Sequence, residues 1–341
     1  MTVRTIMIGG AATLAACGVL GIAPAAAQAS SAPVPTWTKQ APATSPPGRR
    51  DAVMAYDAAT GTAVLFGGLV TDGLDIADSH VVGGTWTWDG ATWTKQAPAV
   101  SPPPRANAAM AYDAATGTVV LFGGTNFRGH MLGDTWTWDG TTWTQQHLAV
   151  HPSARRAEGT MAYDAATGTV VLFGGFRNGH ALGDTWTWDG TSWTKQAPAV
   201  HPLARHDAAM AYDAATGTVV LFGGATSKSM LADTWTWDGT TWTRQAPPAH
   251  PAARTDAALA YDAATGTVVL FGGATTTEFP LGDTWTWDGT TWTQQAPAAS
   301  PAARSQAAMA YDAATGSVVL FGGYDEVAGE IHDIHTTWTW G

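Results

Sequence analysis

Six times along the chain an arginine is followed two residues later by a side chain ending in a carboxylate or a carboxamide. The pairs are Arg49 and Asp51, Arg105 and Asn107, Arg156 and Glu158, Arg205 and Asp207, Arg254 and Asp256, and Arg304 and Gln306. Such oxygens accept hydrogen bonds from sugar hydroxyls or peptide N–H groups and can hold a cation, and a carboxylate beside an arginine also suits proton transfer. The competing role is structural, because an arginine closes readily on a nearby carboxylate and braces the segments that carry them. A second set mixes carboxylates with imidazoles: Asp72, Asp75, Asp78 and His80 in one stretch, and Asp325, Glu326, Glu330, His332, Asp333 and His335 in another. These donor types suit Ca2+, Mn2+ or Zn2+, although no fixed ligand spacing ties them together. Nucleophile chemistry is missing from the sequence: there is no G-x-S-x-G, no H-E-x-x-H, and the single cysteine is Cys17.

These residues must be positioned by a repeat. Tyr-Asp-Ala-Ala-Thr-Gly recurs from Tyr56, Tyr112, Tyr163, Tyr212, Tyr261 and Tyr311. In the second copy Ala108–Tyr112 is expected as strand one, and the Asp113–Gly117 turn leads to Thr118–Phe122 as strand two. The latter is a β-branched, apolar run of the kind buried on both faces. Gly123-Gly124 ends it, and Asp134–Trp138 and Thr142–Thr144 follow as strands three and four around an Asp139-Gly140 turn signal. The 18 tryptophans fall into sets of three, such as Trp136, Trp138 and Trp143. A period of two places them on one face, with Trp143 opposite Trp136 across a two-residue turn or opposite Trp138 across a four-residue turn. Burying one tryptophan removes about 150–250 Å² from water, or ~4–6 kcal/mol gross. Regular placement in every repeat favours core packing over a row of stacking platforms. The sixth set is divided: Trp338 and Trp340 lie at one end of the chain and Trp37 near the other. A repeat completed from the opposite terminus implies a closed ring.

Phe122-Gly123-Gly124, Asp134-x-Trp136 and Trp143, with Arg105 ahead of strand one, resemble the kelch repeat. The resemblance runs from residue 35 to 341. It implies an all-β, six-bladed kelch-type β-propeller with four antiparallel strands per blade, whose ring is closed by the N-terminal strand completing the last blade. The short turn between strands three and four departs from the family pattern. In such a propeller strand one is innermost, so the six carboxylate and carboxamide residues and their arginines would ring the channel mouth, a frequent ligand site in kelch propellers. Galactose oxidases carry a kelch-like propeller with a copper radical centre that needs a tyrosine–cysteine crosslink. A chain that has lost Cys17 cannot make it, and no cofactor is expected. Some kelch-like proteins isomerise sugars with channel carboxylates and arginines, which keeps an isomerase, mutarotase or metal-dependent enzyme as the alternative to a non-enzymatic binding module.

Strand direction sorts the connections. Turns between strands one and two and between three and four share one face and hardly vary. Loops between strands two and three, and links from strand four to the next blade, share the other face and carry almost all the variation. Of the 27 acidic residues, 12 lie outside the repeated motifs, and all 12 fall on that variable face. The expected partner is a protein or carbohydrate bound there by a monomer.

Residues 1–29 begin with Arg4 in a basic start, continue through an apolar stretch interrupted by glycines and Pro24, and end in Ala27-Gln28-Ala29. This is the pattern of a secretory signal peptide, with 30–34 as a linker and 35–341 as the propeller. Leu14-Ala15-Ala16-Cys17 also resembles a lipobox, which would leave the protein lipid-anchored at Cys17. No later stretch has transmembrane length. Loss of Arg4 takes the formal charge from −11 to −12. An acidic exported chain does not suit nucleic acid or anionic lipid, which call for clustered Lys and Arg.

Overall fold

The computed structural model describes residues 35–71, 78–277, 280–327 and 330–341. The expected signal peptide, Cys17, the 30–34 linker, Asp72, Asp75 and Glu278 lie outside the described residues. Pro35–Gly341 forms a single unit built from six blades of four antiparallel strands, the last carrying Glu330–Asp333 as a fifth, with two small two-stranded ribbons beside them. No helix among the described residues is long and apolar enough to cross a membrane.

Blade 2 shows the plan. Ala109–Asp113, Thr118–Phe122, Thr135–Trp138 and Trp143–Gln146 pair in that order as a meander. Val119, Val120, Leu121 and Phe122 are fully buried, because the second strand is covered on both faces by neighbouring blades. The turn between strands three and four has four residues: Trp138 pairs with Trp143 and Trp136 with Gln145. Asp139 selects it. Its Oδ1 accepts the N–H groups of Thr141 and Thr142 at 2.9 and 2.7 Å, which gives the loop an internal cap. Gly140 follows with φ +94°, and a Cβ there would lie 2.5 Å from Thr60 Cγ2 in the one-to-two turn of blade 1. The two short turns of adjacent blades therefore share one end of the ring.

Each blade turns its tryptophans onto the preceding blade. Trp136, Trp138 and Trp143 share a cluster with Val53, Ala55, Val64 and Phe66 of blade 1, and equivalent clusters occupy the other five interfaces. The outer tryptophan lies 5.1–5.5 Å, ring to ring, from a phenylalanine of the preceding blade at every interface. It also donates Nε1–H to a buried threonine there: Trp93 to Thr337, Trp143 to Thr85, Trp193 to Thr135, Trp242 to Thr185, Trp292 to Thr234 and Trp37 to Thr284, at 2.8–2.9 Å. The middle tryptophans, such as Trp138, have a buried Nε1 with no hydrogen-bond partner, so they contribute volume rather than a polar link.

Blade 6 contains the closure. Trp37–Lys39 pairs antiparallel with Thr337–Trp340, setting Trp37 opposite Trp340. Thr337–Trp340 then pairs with Ser317–Val327, which pairs with Ser305–Asp312. The ring is thus sewn by a strand almost 300 residues away from its partner in the chain.

Two outcomes follow from this closure. Trp37→Ala should destabilise the protein by ~3–5 kcal/mol, as much as Trp143→Ala, because both leave a large void at a blade interface. Denaturant unfolding measures both, and a much smaller loss at Trp37 would show that the terminal strand does not close the ring. Trp138→Phe should cost less than Trp143→Phe, since only the second leaves a buried threonine acceptor without its donor.

Candidate functional site

The residues on either side of the channel mouth owe their placement to backbone conformation. Asp51, Asn107, Glu158, Asp207, Asp256 and Gln306 all have left-handed backbones, with φ between 53° and 58°. Among the described residues only one other non-glycine residue, Asn178, does so, although 27 glycines have positive φ. Asp and Asn tolerate this region better than most side chains, and Glu and Gln gain nothing there. Retaining a long polar side chain where glycine would be unstrained marks the six positions as a feature of this end of the ring.

The left-handed kink lets the backbones link in a circle. Asp51 N–H donates to Gln306 C=O, Asn107 to Asp51, Glu158 to Asn107, Asp256 to Asp207 and Gln306 to Asp256, at 3.0–3.2 Å. One link differs: Asp207 N–H donates instead to Glu158 Oε2, at 2.8 Å. Blade 3 carries an extra residue here, six steps from Arg155 to Met161 where Arg105 to Met110 is five. That insertion moves the Glu158 carbonyl out of the circle, and its side chain takes the place.

Asp51, Asn107, Glu158, Asp256 and Gln306 line an axial cavity of about 130 Å³. Asp207 turns to His206, with Oδ2 2.6 Å from Nδ1. Below the polar ring, alanines lead to a buried collar of Met54, Met110, Met161, Met210, Leu259 and Met309. The channel mouth thus has two layers, oxygen above and thioether below.

The repeated arginines have a different place from the one expected. Arg105 is buried and donates to Pro103 C=O, Gly123 C=O and both oxygens of Asp134, the last at 2.7 and 2.8 Å. Asp134 Oδ2 also accepts Trp136 Nε1–H, at 2.7 Å. Arg155, Arg205 and Arg254 grip Asp184, Asp233 and Asp283 in the same bidentate way. These arginines lock the inter-blade link to strand three of their own blade, so their partner is the aspartate of Asp-Thr-Trp and not the neighbouring ring residue. In blade 3 the bracing residue is Arg155 rather than Arg156. Two adjacent arginines hid the insertion: spacing alone selected Arg156, which is the one at the mouth and not the bracing one. Burial acts against the charge of Asp134, but the paired bonds and charge of Arg105, with the Trp136 N–H, hold its carboxyl below the usual range. Arg49 and Arg304 lack such an aspartate, since Gly84 and Thr336 stand in its place. Arg49 bonds to Gly67 C=O, Arg304 bonds to Gly322 C=O and Thr336, and burial pulls both guanidiniums down to about 10.

Arg156 instead reaches the mouth. Its Nε is 2.9 Å from Glu158 Oε1, its Nη2 donates to Asn107 Oδ1 at 3.2 Å and lies 3.9 Å from Asp207 Oδ1. Its guanidinium sits 5.8 Å from the Phe176 ring centre, and His206 packs edge-on to the same ring at 5.1 Å. Asp207 loses by burial but gains more from His206 and Arg156, and stays below the usual carboxylate range. Burial, then repulsion from Asp207, drives Glu158 well up. Burial raises Asp51 to about 7 against the pull of Arg156, and burial with repulsion from Asp207 and Asp51 raises Asp256 well above its ordinary value. Glu158, His206 and Asp207 bring one ligand atom each within 4.8 Å of the others, but Arg156 already fills the cationic position beside Glu158. No motif pointed to this trio, because His206 stands where the other repeats have an alanine, threonine, serine or arginine.

At the seam between blades 1 and 6, Asp333 is committed to structure. It pairs with Arg50 at 2.7 Å, and its other oxygen accepts Thr71 N–H at 2.6 Å. His332 lies 3.4 Å from Asp325 and 3.9 Å from Glu330.

Residues 86–243, a little under half of the chain, match the KLHDC2/KLHL20/DRC7 Kelch-repeats domain. No curated protein matches the chain. The fold is a six-bladed β-propeller, and the stretch that matches the kelch repeats runs from strand three of blade 1 to strand four of blade 4.

The mouth makes stability depend on pH. Folded Asp51 keeps its proton up to about pH 7, whereas the unfolded residue releases it near 3.8. The folded state therefore binds more protons across that window, and its stability falls as pH rises through it. Arg156 and Arg50 oppose this shift, and Asp207 and Asp333 reinforce it. Asp51→Asn keeps the left-handed backbone and removes the charge. Its melting temperature should exceed that of the wild type by ~2–5 °C at pH 8, with the gain gone at pH 4. A lower melting temperature at pH 8 would overturn this account of the mouth.

Proposed function

We propose that the chain is a secreted recognition scaffold that meets a protein or glycan with the face bearing its two-to-three loops and inter-blade links. Kelch propellers commonly serve as protein-interaction modules and are mostly non-enzymatic, which supports a binder over a catalyst. One observation carries the choice of face. The exposed large apolar side chains among the described residues are Val100, Phe127, Val150, Val200, Leu203 and Val327. All lie in two-to-three loops or inter-blade links, or, for Val327, at the far end of the long second strand of blade 6, and none in the short turns of the opposite end. Exposed apolar groups gathered at one end of a scaffold mark contact surface. The opposite end is self-contained: Asp89, Asp139, Asp189, Asp238 and Asp288 spend their oxygens on the N–H groups of their own turns. Export rests on the leader pattern of residues 1–29.

Screening the protein on glycan and peptide arrays tests the face. Binding should be reduced at least ~10-fold by Phe127→Glu with Leu203→Glu and be unaffected by Asp139→Asn, the loss expected when charge replaces apolar anchors. Hits sensitive only to the turn-face substitution would reverse the assignment. Mass analysis of the exported protein should find an N-terminus at Ser30. An acylated N-terminal Cys17 would replace secretion by a lipid anchor.

A further inference from the structure

We propose that the channel mouth binds a primary alkylammonium group, with the charge held on the arc formed by Asp51, Asp256 and Gln306 and the alkyl chain directed onto the methionine collar. The inference rests on reading this end of the ring as the ligand face and adds a ligand class to it.

The mouth has two unlike halves. On blades 2, 3 and 4, Arg156 supplies the positive charge for Asn107, Glu158 and Asp207, and His206 adds a contact to Asp207. On blades 5, 6 and 1 the adjacent Arg50 gives its guanidinium to Asp333, Thr71 and Ser79, and Arg156 acts on Asp51 and Asp256 only through its charge, without a hydrogen bond among the described residues. Asp51, Asp256 and Gln306 follow one another around the circle through their backbone bonds and all line the cavity. The Gln306 Oε1 atom is shut off from solvent and has no hydrogen-bond partner. An unmet acceptor between two carboxylates calls for a donor that carries charge.

Three acceptor groups suit the three N–H bonds of an ammonium. They suit a hard metal ion less well, since Ca2+ takes six to eight oxygens and the next layer down offers none. That layer consists of Ala52, Ala257, Ala258, Ala307 and Ala308, followed by Met54, Leu259 and Met309. Thioethers and methyls favour an aliphatic chain and adapt to its shape. The cavity of about 130 Å³ exceeds what one water molecule fills, so a short chain has room. Glu158, His206 and Asp207 offer the rival cation site, but Arg156 beside Glu158 repels a second positive charge. A lysine side chain and a free aliphatic amine share this chemistry.

Calorimetry on the protein at pH 8 separates the sources and the rivals. The probes are n-pentylammonium, a peptide with one internal lysine and blocked ends, 1-pentanol, CaCl2 and MnCl2. The ammonium probe should bind at least ~10-fold more tightly than pentanol, and Asp51→Asn and Asp256→Asn should each weaken it by at least ~10-fold, the scale of one lost charged contact. Gln306→Glu, which adds a charge, should tighten it. Melting curves of the variants confirm that they are folded. Peptide binding at equal or greater strength assigns a lysine, and binding of the amine alone assigns a small molecule; both support the pocket. No heat from either ammonium probe, equal binding of pentanol, or binding of Ca2+ or Mn2+ that pentylammonium does not displace would overturn it. The free amine reports on the pocket without a macromolecule. Its binding beside empty arrays removes the face reading alone, and array hits indifferent to Asp51→Asn with no amine binding remove the pocket alone.

Discussion

The hydrogen bond from each outer tryptophan to a threonine of the preceding blade is the interaction on which the ring depends. It recurs at all six interfaces and at none is it made within a blade. A propeller without disulfides must hold neighbouring sheets in one angular relation. Apolar packing is indifferent to small rotations, and a single directional bond buried beside a phenylalanine is not. Because the threonine is buried, a blade that slipped would leave both a donor and an acceptor without partners, at a cost of ~1–3 kcal/mol each. The same bond explains the alternation Thr-Trp-Thr-Trp on strand three. One face supplies tryptophans to the preceding blade and the other supplies the acceptor to the next.

With the interfaces held this way, the inner strands converge on the axis, and small changes there acquire chemical meaning. The one-residue insertion in blade 3 moves Glu158 and frees Arg156 from the bracing role that Arg155 assumes. The histidine at position 206 adds a further partner for Asp207 on the same side. A nearly sixfold scaffold thereby acquires a mouth with one half whose carboxylates are paired with Arg156 and one half whose carboxylates are not. The bracing arginines do not line the mouth, and their carboxylate partners are the aspartates of the repeat, so rigidity and ligand chemistry are carried by different residues.

Much of the candidate site was visible in the sequence as residue type and spacing, but not as role. The six ring residues could be named from their distance to the arginine, because five repeats share that spacing. The sixth matched only through the doubled Arg155-Arg156. Arginine and ring residue pair with each other only at Arg156 and Glu158, and for the other repeats the reason is geometric. On a left-handed backbone the ring side chain points to the axis, whereas the arginine side chain, on the adjacent extended segment, runs back between strands. Residue type announced the left-handed conformation only weakly, because Asp and Asn tolerate it without being a signal of glycine's strength, and Glu and Gln give none.

The sequence by itself determined the strands, the number of blades, the single face of tryptophans and the closure through Trp37, since all of these follow from periodicity and local turn chemistry. It also sorted the constant face from the variable one. Only the tertiary structure decided the four-residue register, the true partners of the arginines, the circle of backbone bonds and the uneven distribution of charge around the mouth. Each of these depends on which atoms from different blades meet at the axis. That meeting arises only when six sheets, far apart in the chain, are brought together by packing.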